Sequence, residues 1–459
     1  MTCEETTEFL DEDEEEFGWR ELPDLLLEEI FRLLDPKDRH QASQVCHRWH
    51  KMFYSPRVWD TFILKERTLT RRLFNLYRGY QRELDPRKTH FMLTRVGSYF
   101  KKVIVTDIAD FYNLHEFLRV LTFFLEYYDE CPMTQLKSFD FTFHCEERGM
   151  TGLIVHGTGG KILEELIQLV QVLGNLRELK MNQLLLEAKD APGLFEAIAK
   201  NCIDTLTYLE ILNYTKIPCP MPEMAQFWTL SRLVVSPQQL SDEVVLLLAG
   251  TCLVDLRIVQ DTYTCPCVPV SGMAWCELST MAPFLKVRLE CRGRTKEDVM
   301  VQPHAPVSAV VYSTPYSKIS SNVTLDISEN YKYSLQVFVH QRLPRVHGSR
   351  SFHERGDANL VMLSRQCEKL QILVVKERLS TATILLVVKN AKSLNRLYVR
   401  QNAILKKSDW PKSAEWSDEF YRWLRTSSLS LDLFIAEVSQ MIGYKWRPLT
   451  DEEFKQIDV

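Results

Sequence analysis

No stretch of this chain is long and apolar enough to cross a bilayer. The longest uncharged apolar run, Val244 to Val254, is interrupted by Gly250 and Thr251 and falls well short of the roughly 20 residues a span needs. No secretory leader is expected either: nine acidic residues between Glu4 and Glu16 precede the first basic residue, Arg20, whereas a leader begins with positive charge. Paired CxxC spacing is missing. The 12 cysteines are scattered over 459 residues, as in a reduced compartment where cysteine serves as a small buried hydrophobe. Cys252, Cys265, Cys267, Cys276 and Cys291 are the nearest thing to a thiolate set, and with no histidine nearby they imply no zinc. The motif Gly157-Thr-Gly-Gly-Lys161 lacks both the glycine offset and the Ser or Thr of a phosphate loop, with Ile162 following the lysine. It reads as a flexible insertion. No nucleophile has an identifiable base. The expectation is a non-catalytic chain without metal, cofactor or membrane contact, resident in the cytoplasm, the nucleus or both.

What is present begins with an apolar excess. In Trp19 to Asp60, Leu26, Ile30, Leu33 and Leu34 recur at helical spacing behind Pro23, a residue suited to a first helical position. Asp35-Pro36 and Ser55-Pro56 repeat the signal for a helix start. Three short helices have little core of their own, so Leu27, Phe31, Val45, Trp49 and Trp59 cannot all be inside. One face requires a partner.

The succession of Leu22-Pro23, a leucine-rich helix, Asp35-Pro-Lys-Asp38, Val45-Cys-His-Arg-Trp49 and a closing Pro56-x-x-Trp59 resembles the F-box. That resemblance implies that Leu22, Pro23, Leu26, Ile30, Leu34, Val45, Cys46, Trp49 and Trp59 contact a Skp-family adaptor, which joins a cullin scaffold and a RING subunit indirectly. Arg39, Ala42 and Gln44 stand where the family usually has leucines. The resemblance is strongest to F-box only proteins with weak repeats.

Downstream, Lys65 to Lys102 holds eleven basic residues against Glu66, Glu83 and Asp85. With Phe74, Tyr77 and Tyr80 interleaved, it reads as a helical linker ending at Asp85-Pro86. A solvated basic face, paired with the acidic N-terminus or an acidic partner, is preferred over nucleic-acid binding.

From Tyr99 a pattern LxxLxL recurs. It is seen at Phe100, Val103, Val105; Leu136, Phe139, Phe141; Leu176, Leu179, Met181; Leu206, Leu209, Ile211; and Leu230, Leu233, Val235. Leu253, Leu256, Ile258; Phe284, Val287, Leu289; Val307, Val310, Tyr312; Cys367, Leu370, Ile372; and Leu394, Leu397, Val399 continue it. The spacings of 23, 24 and 27 residues between several copies suit stacked strand-plus-helix repeats, while early gaps of 36 and 40 imply irregular ones. One repeat cannot bury its own apolar edge, so copies stack into a shared core. Ordinary α/β layers remain the alternative.

The expected fold class is therefore α/β: an N-terminal three-helix F-box, then a curved leucine-rich-repeat-like solenoid with a short-stranded parallel sheet. Its divisions are an acidic tail over 1–17, the F-box over 18–60, a basic helical linker over 61–98, the solenoid over 99–447 and a C-terminal tail over 448–459. Arg342, Arg345, Arg350 and Arg355 lie in a Pro- and Gly-containing loop and are candidates for holding an acidic or phosphorylated target. Trp410, Trp416, Tyr421, Trp423 and Trp446 are expected to close the end of the solenoid. The functional expectation is a substrate receptor of a Skp–cullin–F-box ubiquitin ligase whose protein target is unknown. The alternative is a non-ligase repeat scaffold or nucleic-acid-associated protein using the basic segment.

Overall fold

The computed structural model describes residues 22–77, 79–127, 133–149, 152–344 and 348–458. Three short helices come first: α1 (Asp24–Leu33), α2 (Pro36–Ala42) and α3 (His47–Phe53). Twelve strands then lie in chain order in one sheet, every neighbouring pair parallel. They are β1 (Thr61–Leu64), β2 (Lys102–Val105), β3 (Ser138–Thr142), β4 (Glu178–Asn182), β5 (Tyr208–Leu212), β6 (Arg232–Val235), β7 (Asp255–Gln260), β8 (Lys286–Arg292), β9 (Val307–Ser313), β10 (Val337–His340), β11 (Ile372–Val375) and β12 (Arg396–Val399).

Register explains the pattern. Leu64, Val105, Phe141, Met181, Ile211 and Val235 are successive partners, and the row continues through Ile258, Leu289, Val310, Phe338, Leu373 and Leu397. All twelve are buried. Strand side chains alternate between faces, so this row faces one way, toward helices such as Phe111–Tyr127, Gly160–Val172, Ala191–Cys202 and Thr381–Asn390. The two layers share one continuous core. Parallel order, helical returns and a single shared core make this a solenoid-like stack, with no separation into independent α/β layers.

Four expectations are corrected. The segment 61–98 is not a helical linker. Its first residues are strand β1, Thr70–Asn75 and Gly79–Leu84 form an antiparallel hairpin, and only Pro86–Val96 is helical. Asp85 caps that helix, accepting from the Arg87 and Lys88 N–H groups, and Pro86 opens it; the dipeptide begins a helix where it was expected to end one. Phe74, Tyr77 and Tyr80 are exposed on the hairpin. The sheet therefore starts at Thr61, with Trp59, Phe62 and Leu64 in the three repeat positions, all buried.

The second correction is register. At β11 the residues in the shared core are Leu370, Leu373 and Val375, whereas Ile372 and buried Val374 face the other side of the sheet. At β8 Phe284 is 83% exposed and Leu285 fills the core in its place. Third, Gly157 to Lys161 is no insertion: Thr158 donates its N–H to the Leu184 carbonyl at 2.7 Å and Gly160 starts a 13-residue helix. Fourth, residues 448–458 are not a free tail. Leu449 bonds back to Val399 and Gln401, and the helix Asp451–Lys455 packs Phe454, 1% exposed, onto Val311, Val339 and Val374.

The C-terminal aromatics lie at the last repeat. Asp418–Leu429 and Leu431–Ile442 pack on Thr381–Asn390, and the Trp446 indole donates to the Leu397 carbonyl at 2.8 Å. The acidic segment 1–17 lies outside the described residues. Among those residues no helix is long and apolar enough to cross a membrane, and no group of three metal-type ligands converges.

Candidate functional site

Helix α1 carries two apolar faces. Leu27 and Phe31, four residues apart, are fully buried, and Phe31 meets the Trp49 ring edge-on at 5.9 Å. Leu26 and Leu33 stand seven residues apart on the other side with half-buried Ile30 between them, so they form an outward stripe. Exposure is 53% at Leu26 and 87% at Leu33, with 63% at both Leu25 and Val45. Covering such a side chain contributes roughly 1.5–3 kcal/mol. These four exposed apolar side chains make the helical unit the candidate docking surface.

The frame beneath is polar and well connected. Arg48 pairs with Asp24, 2.9 Å from Nε to Oδ1, and also donates to the Leu22 carbonyl, which fixes the entry into α1. Ser55 donates to Glu28 at 2.5 Å, joining the end of α3 to the middle of α1. Arg39 is the centre of the frame. Its Nε donates to the Phe31 and Leu34 carbonyls at 2.8 and 2.9 Å, and its two terminal nitrogens donate to Val58 and Arg32 carbonyls at 2.8 Å. It thereby satisfies carbonyls left open at the C-terminus of α1. Burial lowers its pKa to about 10, so it stays charged at neutral pH.

Leu22, Pro23, Leu26, Ile30, Leu34, Val45, Cys46 and Trp49 are exposed or half-buried on this unit. Trp59 departs from the expectation. It is 1% exposed, donates to the Phe53 carbonyl at 2.5 Å, lies under the Arg39 guanidinium at 4.7 Å and faces Phe100 at 6.4 Å. It is core to both the helical unit and the first repeat, and no partner can reach it. Leu25 was missed, and Leu33, read as part of the apolar helix, was left out of the adaptor contacts. Among the described residues the buried Trp49 indole N–H has no acceptor.

A second surface is the helix-free face of the sheet. On β3 to β8 it is mixed: charged, cross-linked side chains surround an apolar patch of Leu212, Val234 and Val259. Glu210 accepts from the Tyr208 hydroxyl at 2.5 Å and Asn182 at 3.1 Å and pairs with Lys180 at 3.1 Å. Burial opposes its ionisation, but these partners outweigh it and hold the carboxyl below its ordinary value. Glu290 takes Arg292 at 2.8 and 3.1 Å, with Arg288 at 3.9 Å, and Arg257 pairs with Asp255 at 3.1 Å. On β9 to β11 the same face is apolar and lies under Phe454.

The arginine loop does not assemble as expected. Arg355 is buried, pairing with Asp357 at 2.7 Å and Asp409 at 2.6 Å, so it braces the fold and is closed to a target. Arg342 and Arg350 are exposed, and Arg345 lies outside the described residues.

Residues 19–65 match the F-box-like family. They form an F-box-like domain. Among solved structures, a TLR13–ssRNA13 complex is similar at 12% identity and TM-score 0.29, the match covering 66% of this chain and 49% of that one. An internalin (InlF) from Listeria monocytogenes is similar at 12% identity and TM-score 0.23, covering 66% and 82%. This chain thus spans about half the length of the first. The solenoid description comes from the strand ladder itself.

Proposed function

We propose that a chain whose residues 19–65 form an F-box-like domain acts as the substrate-recognition subunit of a Skp–cullin–F-box ubiquitin ligase. The observation that carries this reading is the exposed stripe of Leu26, Leu33 and Val45 over a frame rigidly held by Arg39 and Arg48. A Skp-family adaptor covers the stripe, and the cullin and RING subunits follow through it. The chain itself performs no chemistry. The repeat domain holds a protein target, with the charged helix-free face of β3 to β8 as the reading surface. Holding target and ubiquitin-loaded enzyme on one scaffold raises their effective concentration, and transfer to target lysines follows. The protein acts in the cytoplasm, the nucleus or both.

The test is co-precipitation of a Skp-family adaptor with the wild type and with a Leu26→Asp, Val45→Asp variant. Both positions are more than half exposed, so the variant should keep its unfolding midpoint. Loss of adaptor with retention of the fold is the expected result; undiminished adaptor binding would discard this reading.

A further inference from the structure

Between α2, the hairpin Thr70–Asn75/Gly79–Leu84 and the helix Pro86–Val96 lies a cleft of about 1030 Å³. Eight basic side chains line it against Asp35, Asp38 and Glu66. Lys65 is neutralised by Asp35 at 2.7 Å, and Lys88 stands 3.7 Å from Asp85. Arg67, Arg71, Arg82 and Arg95 have no carboxylate within ion-pairing distance among the described residues. Phe53, Trp59, Met92 and Val96 lie buried beneath the floor, and half-buried Leu69 and Phe91, 45% exposed, supply the apolar surface a ligand can reach. Like charges gathered over an apolar floor repel one another until an anionic, partly apolar ligand enters.

The chain carries a segment of that chemistry. Residues 4–16 hold nine carboxylates, no basic residue, and Phe9 and Leu10. Reach is sufficient. The ten residues of α1 span about 15 Å, and the cleft opens beside Asp35 and Pro36 at its C-terminal end. The six to eleven residue steps from Glu16 and Asp11 to Leu22 extend to roughly 20–36 Å.

We propose that this cleft is a binding site for an acidic peptide and that residues 4–16 of the same chain are its occupant. The site is separate from the Leu26, Leu33 and Val45 stripe and does not depend on the adaptor reading. A tether this short gives an effective concentration in the millimolar range. A segment whose free peptide binds at about 100 μM would then fill the site about nine-tenths of the time and weaken a competing peptide roughly tenfold.

The experiment measures binding of a fluorescent peptide with the sequence of residues 2–18 by anisotropy at low salt. Three proteins are compared: the full chain, the chain lacking residues 2–16, and that truncated chain with Arg71→Glu and Arg72→Glu. Both arginines are exposed, and unfolding curves verify that the fold is kept. The peptide should bind the truncated chain, bind the full chain at least tenfold more weakly, lose at least tenfold on charge reversal and weaken as salt rises. In the full chain, carbodiimide should join Lys65 or Lys88 to residues 4–16, and mixing with isotope-labelled protein should give no mixed product. Failure of the truncated chain to bind, or equal binding to truncated and full chains, would overturn the proposal. So would mixed cross-links, which mean a second copy, or tighter binding of single-stranded RNA than of the peptide, which means a phosphate site.

Discussion

Arg39 occupies a position where the F-box pattern favours leucine, and its role was invisible in the sequence because its partners are backbone carbonyls from four different residues. A planar fork with several fixed donors can meet that set; an ammonium cannot. Arg39→Lys is expected to lower unfolding stability by roughly 2–3 kcal/mol, because carbonyls lose charged donors, as read by urea titration. His340 poses a different problem. It occupies a buried repeat position on β10 between Tyr312 and Val375, with neither ring nitrogen hydrogen-bonded among the described residues. That polar residue hid the repeat Leu335, Phe338, His340 from pattern reading. Burial, and then Lys376, push its pKa well below the ordinary value, while Glu377, itself raised by burial, stands 4.0 Å from Nδ1. The unfolded chain therefore binds a proton near pH 6.5 that the folded chain refuses. Its contribution is present above that pH and declines as pH falls below it. Unfolding curves at pH 7.5 and 5.5 should show a smaller acid loss in His340→Leu than in the wild type.

At the scale of elements, β2 through β9 were legible because each puts aliphatic or aromatic residues in successive core positions. Strand β1 was hidden inside a motif read for another purpose, as Trp59 serves helices and sheet at once. The hairpin Thr70–Asn75/Gly79–Leu84 was unreadable by periodicity: its six-residue strands bury almost nothing, so neither period is imposed on them. The C-terminal strap was hidden for another reason. Its helix has five residues and acquires meaning only against the sheet face it meets. Phe454→Ala should cost about 3 kcal/mol and abolish hydrogen-exchange protection of residues 449–457 while the repeats stay protected. The strap is also acid-labile. Arg400 holds Asp451 below the usual carboxylate range, and Arg447 and the Thr450 N–H bring Glu453 down to about 2. Folded values below unfolded ones give support that is complete above about pH 4.5 and lost as pH falls toward 2. Exchange in the strap should therefore rise in that window, and a Glu453→Gln variant should lose part of the response.

Across the whole molecule, helical unit and solenoid are one body, because the rings of Trp59, Phe100, Phe62 and Phe117 contact one another in that order across their junction at 5.2–6.4 Å. Trp59→Ala should accordingly cost roughly 3–5 kcal/mol and lower the thermal midpoint of the F-box-like unit and the first repeats together. Independent melting of the two would refute their common core. Only Asp60 separates Trp59 from β1, which turns this junction into a gauge block. Inserting one residue there would reverse the faces of β1, and lengthening it with a soft spacer would let the solenoid swing. The distance and bearing from the leucine stripe to anything held on the sheet are thus machined into the chain. On the ligase reading proposed above, lysines of a target at the right radius are favoured over those with the right neighbours.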